Sequence, residues 1–219
     1  MEPPASDLAD APVPMFPKFG PEGRFLVLPL FALLGRGYPV RVAELAREAG
    51  RDEGTVRRHL AGWRGLRRDA DGSVIGFGGL DLFPTRHHLR VGERDLFAWS
   101  AWDTLILPAI LGEEAAVASR CRATDDDILL RVAPEGVLDC EPEDVRLGLR
   151  VPGRKAPGEG RPSVEAVFLA GREAAGEWRG ARTDARILSL EEGFRLGLEV
   201  WTRLLGADLF PRRRGELGP

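Results

Sequence analysis

Apolar and polar positions along this chain change period several times, and each change marks an element. Residues 1–22 are rich in Pro and small side chains and are expected to form a disordered tail. From Arg24 to Gly35 (RFLVLPLFALLG) the chain is apolar nearly all round, which predicts a buried helix bent at Pro29. Val42 to Ala49 (VAELAREA) has helical spacing and is stopped by Gly50. Asp52 can cap a second helix reaching Trp63, with Val56, Leu60 and Trp63 on one stripe. Leu66 to Gly78 (LRRDADGSVIGFG) then reads as a hairpin turning at Asp71-Gly72. Helix, turn, helix and two-stranded wing together predict a winged helix over residues 23–84.

Beyond it, Thr85 to Val91 alternates like a strand. The spacing from Glu93 to Leu111 (ERDLFAWSAWDTLILPAIL) predicts one helix kinked at Pro108. After Gly112 the period becomes that of strands, at Ala116–Arg122, Ile128–Val132, Val145–Val151 and Val164–Ala170. Breaks fall at Asp125-Asp126-Asp127, at Pro134-Glu135-Gly136 and in a flexible loop from Pro152 to Pro162. A short helix is expected at Glu173–Arg179. The last one opens at Ser189, with Glu192 three residues on as a capping box, and runs to Leu205. The prediction is an α+β fold: a winged helix packed on an α+β domain, residues 85–207, with a mostly antiparallel sheet and a frayed tail at 208–219.

Composition narrows the setting. Of 219 residues, 43% are hydrophobic and 30% charged, which is ordinary for a globular protein. No apolar run reaches the roughly 20 residues of a membrane span, and the N-terminus has no signal-peptide pattern, so no membrane partner is expected. Cys121 and Cys140 cannot make a disulfide framework, so a reducing, cytoplasmic setting is expected. The net charge of −3 gives no general pull on nucleic acid. Charge is uneven, however. Arg36 to Arg68 holds nine Arg and four acidic residues, and Asp125 to Asp144 holds eight acidic residues and one Arg. On a winged helix, Arg57 and Arg58 would lie on the groove-reading helix, with Arg64, Arg67 and Arg68 near phosphate.

The most informative stretch is Leu96 to Gly112, LFAWSAWDTLILPAILG. It resembles the signature of the organomercurial (alkylmercury) lyases, in which Trp-Cys precedes Asp-Thr by two residues. Gly72–Gly76 (GSVIG), Ala118–Ala123 (ASRCRA) and Ser189–Gly197 (SLEEGFRLG) match the same family in the same order. The resemblance runs from about Arg24 to Leu205. It implies the family's fold, with the winged helix as a structural cover, so DNA is not an expected partner. It also implies a small-molecule substrate and no cofactor. In the family, two thiolates bind mercury and an aspartate protonates the departing carbon.

Here the aspartate position is Asp103, and Ser100 stands where the first cysteine would be. The second cysteine position falls near Ser163, in Pro162-Ser163-Val164-Glu165, and no Cys occurs after Cys140. A serine hydroxyl is a hard, almost wholly protonated oxygen and a poor ligand for mercury. The resemblance therefore implies a diverged enzyme: Asp103 transfers protons, Ser100 assists, and Trp99, Trp102, Ser163 and Glu165 line the substrate pocket, with no metal site. The composition, rich in Arg, Ala and Gly, suits a high-GC genome and suggests biosynthesis. Two alternatives stand beside this reading. One is an organomercurial lyase, either weak or carrying a deliberate cysteine-to-serine change; the other is a non-catalytic winged-helix sensor or regulator. Blander roles exist for each residue: a helix-terminal carboxylate for Asp103, a filler of the cysteine's space for Ser100, core for the tryptophans. Cys121 matches a non-catalytic cysteine of the family and is expected to be buried. His87 and His88, neighbours on a strand, are expected to face opposite ways. The oligomeric state is left open.

Overall fold

A computed structural model describes residues 19–63, 65–150 and 164–206. A helical turn at Gly20–Gly23 and a 3-10 turn at Arg24–Leu26 lead into α1, Val27–Leu34. Pro29 does not bend this helix midway: it stands in the first turn, where no intrahelical N–H bond is lost. α2 spans Val42–Glu48 and α3 Glu53–Gly62, the latter capped by Asp52, whose carboxylate accepts the Thr55 N–H at 2.8 Å. The wing strands are β1, Leu66–Arg68, and β2, Val74–Phe77. The described structure includes residues on the N-terminal side of the expected boundary at residue 23. The Phe19 ring is buried, edge-on to Trp63 at 4.9 Å and to Phe77 at 5.9 Å. The remainder of the expected N-terminal tail, the loop 152–162 and the tail 208–219 lie outside the described residues.

A correction falls between residues 93 and 100. The single helix expected from Glu93 to Leu111 is a strand followed by a shorter helix. β3, Leu80–Asp81, and β4, His87–Val91, both pair with β5, Arg94–Ala98. Leu96 and Ala98 point inward, and Gly92, at φ 58°, makes the β4–β5 turn. The helix α4 runs Ala101–Leu111 and ends at Gly112 in the left-handed region, φ 72°. Next come β6 (Ala115–Arg120), β7 (Asp127–Ala133), β8 (Gly136–Glu141), β9 (Arg146–Arg150) and β10 (Glu165–Leu169). Finally α5 is Arg172–Arg179, β11 Ala185–Leu188 and α6 Leu190–Leu205, which opens with the Ser189–Glu192 capping box. Strands β8 and β11 have no counterpart in the sequence reading.

The fold is α+β, and every strand pair is antiparallel. One eight-stranded sheet has the order β1-β2-β3-β5-β4-β6-β7-β8, and a three-stranded sheet has the order β10-β9-β11. The wing is therefore continuous with the sheet that follows it. α4 lies against both sheets and against α6. Glycine makes the helix contact close: a Cβ at Gly197 would overlap Ile106, and one at Gly193 would stand 3.1 Å from Leu105 Cδ1. Among the described residues no helix is long and apolar enough to cross a membrane.

Candidate active site

Ser100 has extended backbone, φ −142° and ψ 164°, and is the N-cap of α4. Its hydroxyl oxygen accepts the Asp103 N–H at 3.3 Å, and its O–H donates to Asp103 Oδ2 at 2.7 Å. Capping thus does two things at once: it starts the helix and orients a carboxyl group. The second face of that carboxyl is closed by the backbone of Gly79. A Cβ on Gly79 would stand 2.5 Å from Asp103 Cγ, and Gly79 has φ +97°. Only glycine fits both demands.

Burial pushes the Asp103 carboxyl from its ordinary value of 3.8 up to about 6, against the downward pull of its hydrogen bonds with Ser100. Among the described residues no charged neighbour contributes to the shift. A group held there exchanges protons near neutral pH, which is what general acid–base work requires.

The other expected site residues are placed differently. Trp99 is 37% exposed and sits at the start of the site, its ring beside Gly65 and its indole N–H donated to Asp81 Oδ2 at 2.6 Å. Trp102 is not a wall of the site. Only 5% exposed, it turns the other way, donating its indole N–H to Gly193 O at 2.7 Å and so fastening α4 to α6. Adjacent positions on a helix diverge by about 100°, so Trp102 and Asp103 cannot share a face. Glu165 is committed to the second sheet, 3.9 Å from Arg150, and none of its described contacts involves Asp103. Ser163 lies outside the described residues.

The sequence reading missed Gly79 and Asp81. Asp81 is wholly buried, and its Oδ2 is shared by the Arg67 guanidinium and the Trp99 indole. Its Oδ1 accepts the Phe83 N–H at 3.0 Å. A signal was available in Gly78-Gly79-Leu80-Asp81-Leu82, where paired glycines precede an acid in an apolar run.

The remaining candidates separate cleanly. His87 is buried, its Nδ1 2.8 Å from Ser119 Oγ, and burial, with some help from the charge of Arg86, pushes its pKa down to about 4. His88 faces outward to Asp95 at 2.8 Å, so the two histidines do face opposite ways. Cys121 is fully buried just past β6, and Cys140 lies on β8 with β7 between the two strands. Burial raises the Cys121 thiol, but hydrogen bonds from the Thr124 side chain and from the backbone N–H groups of Thr124, Ala170 and Ala123 outweigh it and leave the pKa lowered. Among the described residues no three His, Cys, Asp or Glu side chains group as metal ligands would.

A winged helix sharing its sheet with an antiparallel α+β domain, and a half-buried acid at the start of the central helix, define the class of protein. Comparison with known proteins gives the family. The alkylmercury lyase family model matches residues 80–202, and the model for the helix-turn-helix domain of alkylmercury lyase matches residues 19–78. The chain is 34% identical to the alkylmercury lyase of Streptomyces lividans over 183 residues, covering 84% of this chain and 85% of that one. It is 31% identical to the enzyme of the same name from Staphylococcus epidermidis over 179 residues, 82% of each. A crystal structure of the mercury-bound form of MerB2 superimposes with a TM-score of 0.68 at 24% identity, over 92% of this chain and 98% of that one. This chain belongs to the alkylmercury lyase family.

Proposed function

We propose that the protein is an enzyme that keeps the acid of the alkylmercury lyase site and works without its thiolate pair. Asp103 gives or takes a proton on a small organic substrate, in a reaction of lyase, isomerase or cyclase type, and Ser100 orients it. Such a reaction needs no cofactor and suits a step of biosynthesis. One observation carries the reading: a half-buried carboxyl walled on one side by the Gly79 backbone and bonded to the Ser100 hydroxyl, whose pKa burial raises to about 6. A structural N-terminal carboxylate would serve as well fully ionised; this one is held where both protonation states are accessible.

The thiol chemistry is argued against by composition. If Ser100 occupies the first cysteine position, its O–H is donated to Asp103, so its oxygen is not anionic. With no cysteine beyond Cys140, no second thiolate can come from the late strand. Carbon–mercury cleavage remains the rival, because the relatives carry the name alkylmercury lyase.

Incubation with phenylmercury and measurement of released benzene separates the two. The expected result is no turnover, with at most one phenylmercury captured at each of Cys121 and Cys140. Repeated turnover that disappears in Asp103→Asn would overturn the proposal. The regulator reading is tested by selection from random DNA duplexes. We expect no consensus site, since Arg57 is paired with Glu53 at 3.0 Å and Asp69 and Asp71 share the groove beside α3 with Arg41, Arg57 and Arg68.

A further inference from the structure

Asp81 grips Trp99 in concert with its own strand. The backbone N–H of Trp99 donates to Gly79 O at 2.9 Å, and its indole N–H donates to Asp81 Oδ2 at 2.6 Å. Gly79 and Asp81 lie two residues apart, so one short segment holds the residue before Ser100 at both its backbone and its side chain. That same segment supplies the wall against Asp103, since the Gly79 backbone lies on the carboxyl group. The grip also reaches the winged helix. Arg67 on β1, its side chain 49% exposed, is ion-paired to the same Asp81 oxygen, and the Trp99 ring rests beside Gly65. A wholly buried carboxylate is costly unless its lone pairs are filled, and here Arg67, Trp99 and Phe83 fill them. Gly76 leaves the room: a Cβ there would stand 3.0 Å from Asp81 Oδ2.

We propose that Asp81 is a positioning residue of the Asp103 site, clamping Trp99 so that the Gly79 wall stays closed over the Asp103 carboxyl, with Arg67 tying the clamp to the wing. Asp81 touches no reacting atom. It acts through Trp99 and Gly79 on the degree to which water reaches Asp103. The inference rests on the reading of Asp103 as the proton-transfer group.

The test is an NMR titration of the Asp103 carboxyl carbon, with the five indole N–H signals of the full chain as a second readout. Trp99→Phe is the decisive variant. It keeps an aromatic ring and leaves Asp81 in place, and it removes the indole donor together with the benzo ring beside Gly65. The Asp103 midpoint is expected to fall from about 6 towards 3.8. Asp81→Asn is expected to do the same, to shift the Trp99 indole signal and to hasten its exchange with solvent. The Trp102 indole, bonded to Gly193, should stay in place as the report on an intact fold. Should Asp81→Asn fail to fold, Trp99→Phe alone decides. A parent midpoint near 6 that neither variant moves overturns the clamp and leaves the proton-transfer reading standing. A parent midpoint already near 3.8 overturns that reading and the clamp with it.

Discussion

Two carboxylates lie within one small region of this protein, and their surroundings could hardly differ more. Asp81 has its oxygens filled by a guanidinium, an indole N–H and a backbone N–H. Asp103 has a single hydroxyl donor and its own backbone N–H, bonded to that same hydroxyl. No guanidinium among the described residues pairs with Asp103, and burial lifts its pKa to about 6. What separates a carboxylate that holds structure from one that can do chemistry is the donor set, not depth. Removing a partner from Asp81 should cost stability; removing the carboxylate of Asp103 should cost function.

The sharpest way to break that contrast is Asp103→Asn. The amide keeps the size of the group and an oxygen for the Ser100 hydroxyl, so the fold should survive. Proton transfer is lost, and turnover of the organic substrate should drop roughly 10²–10⁴-fold. Steady-state rates beside a circular dichroism spectrum check both halves. A variant that keeps full activity would reduce Asp103 to a capping carboxylate.

Gly79→Ala comes next. The added methyl meets the Asp103 carboxyl and forces an L residue into φ +97°. Backbone strain and overpacking together should destabilise by roughly 2–5 kcal/mol in chemical denaturation. The same change at Gly72, φ +80° with open space around it, carries strain alone and should cost less.

The pH dependence of stability sharpens the comparison further. For Asp103 the folded pKa lies above the unfolded value, so the folded state holds the extra proton. Its contribution is fully present below pH 3.8 and is lost as pH rises through about 6. Asp103→Asn removes that penalty and should stabilise the protein at pH 8 by about 1–3 kcal/mol, with little change at pH 4. Thermal melts at the two pH values test it. Equal shifts at both would mean that the carboxyl is not held neutral by its surroundings. Greater stability with lower activity is the expected signature of a site kept at a thermodynamic cost.

How much of this was legible beforehand follows from sequence distance. The Ser100–Asp103 pair spans three residues, so a helix start brings the two together whatever the rest of the chain does. Asp52 at α3 and Ser189 at α6 are local in the same way, and both caps form where their sequences suggest. The two side-chain partners of Asp81 are 14 and 18 residues away, and they meet it through the register of β1, β2, β3 and β5. Apolar spacing does not encode that register. The Glu93–Leu111 reading failed for a related reason: Leu96 and Ala98 suit a strand of period two as well as the start of a helix. Trp102 was misplaced because a sequence match fixes its neighbours but not its azimuth about the helix.

Ser100→Ala has the smallest expected effect and probes the boundary between structural and chemical roles. The hydroxyl accepts one N–H and donates to one carboxyl oxygen, so alanine removes the cap and, among the described residues, the one side-chain donor to Asp103 together. Loss of an N-cap costs about 1 kcal/mol, which a urea titration resolves. The chemical consequence has a fixed sign. Ser100 pulls the Asp103 pKa down against burial, so its removal should carry the midpoint above about 6. A general acid would then be more fully protonated at pH 7, whereas a general base would be less available. Whether Ser100→Ala raises or lowers the rate at pH 7 therefore tells which of the two roles Asp103 plays. An unmoved midpoint would show that the hydroxyl caps the helix and does nothing for the acid beside it.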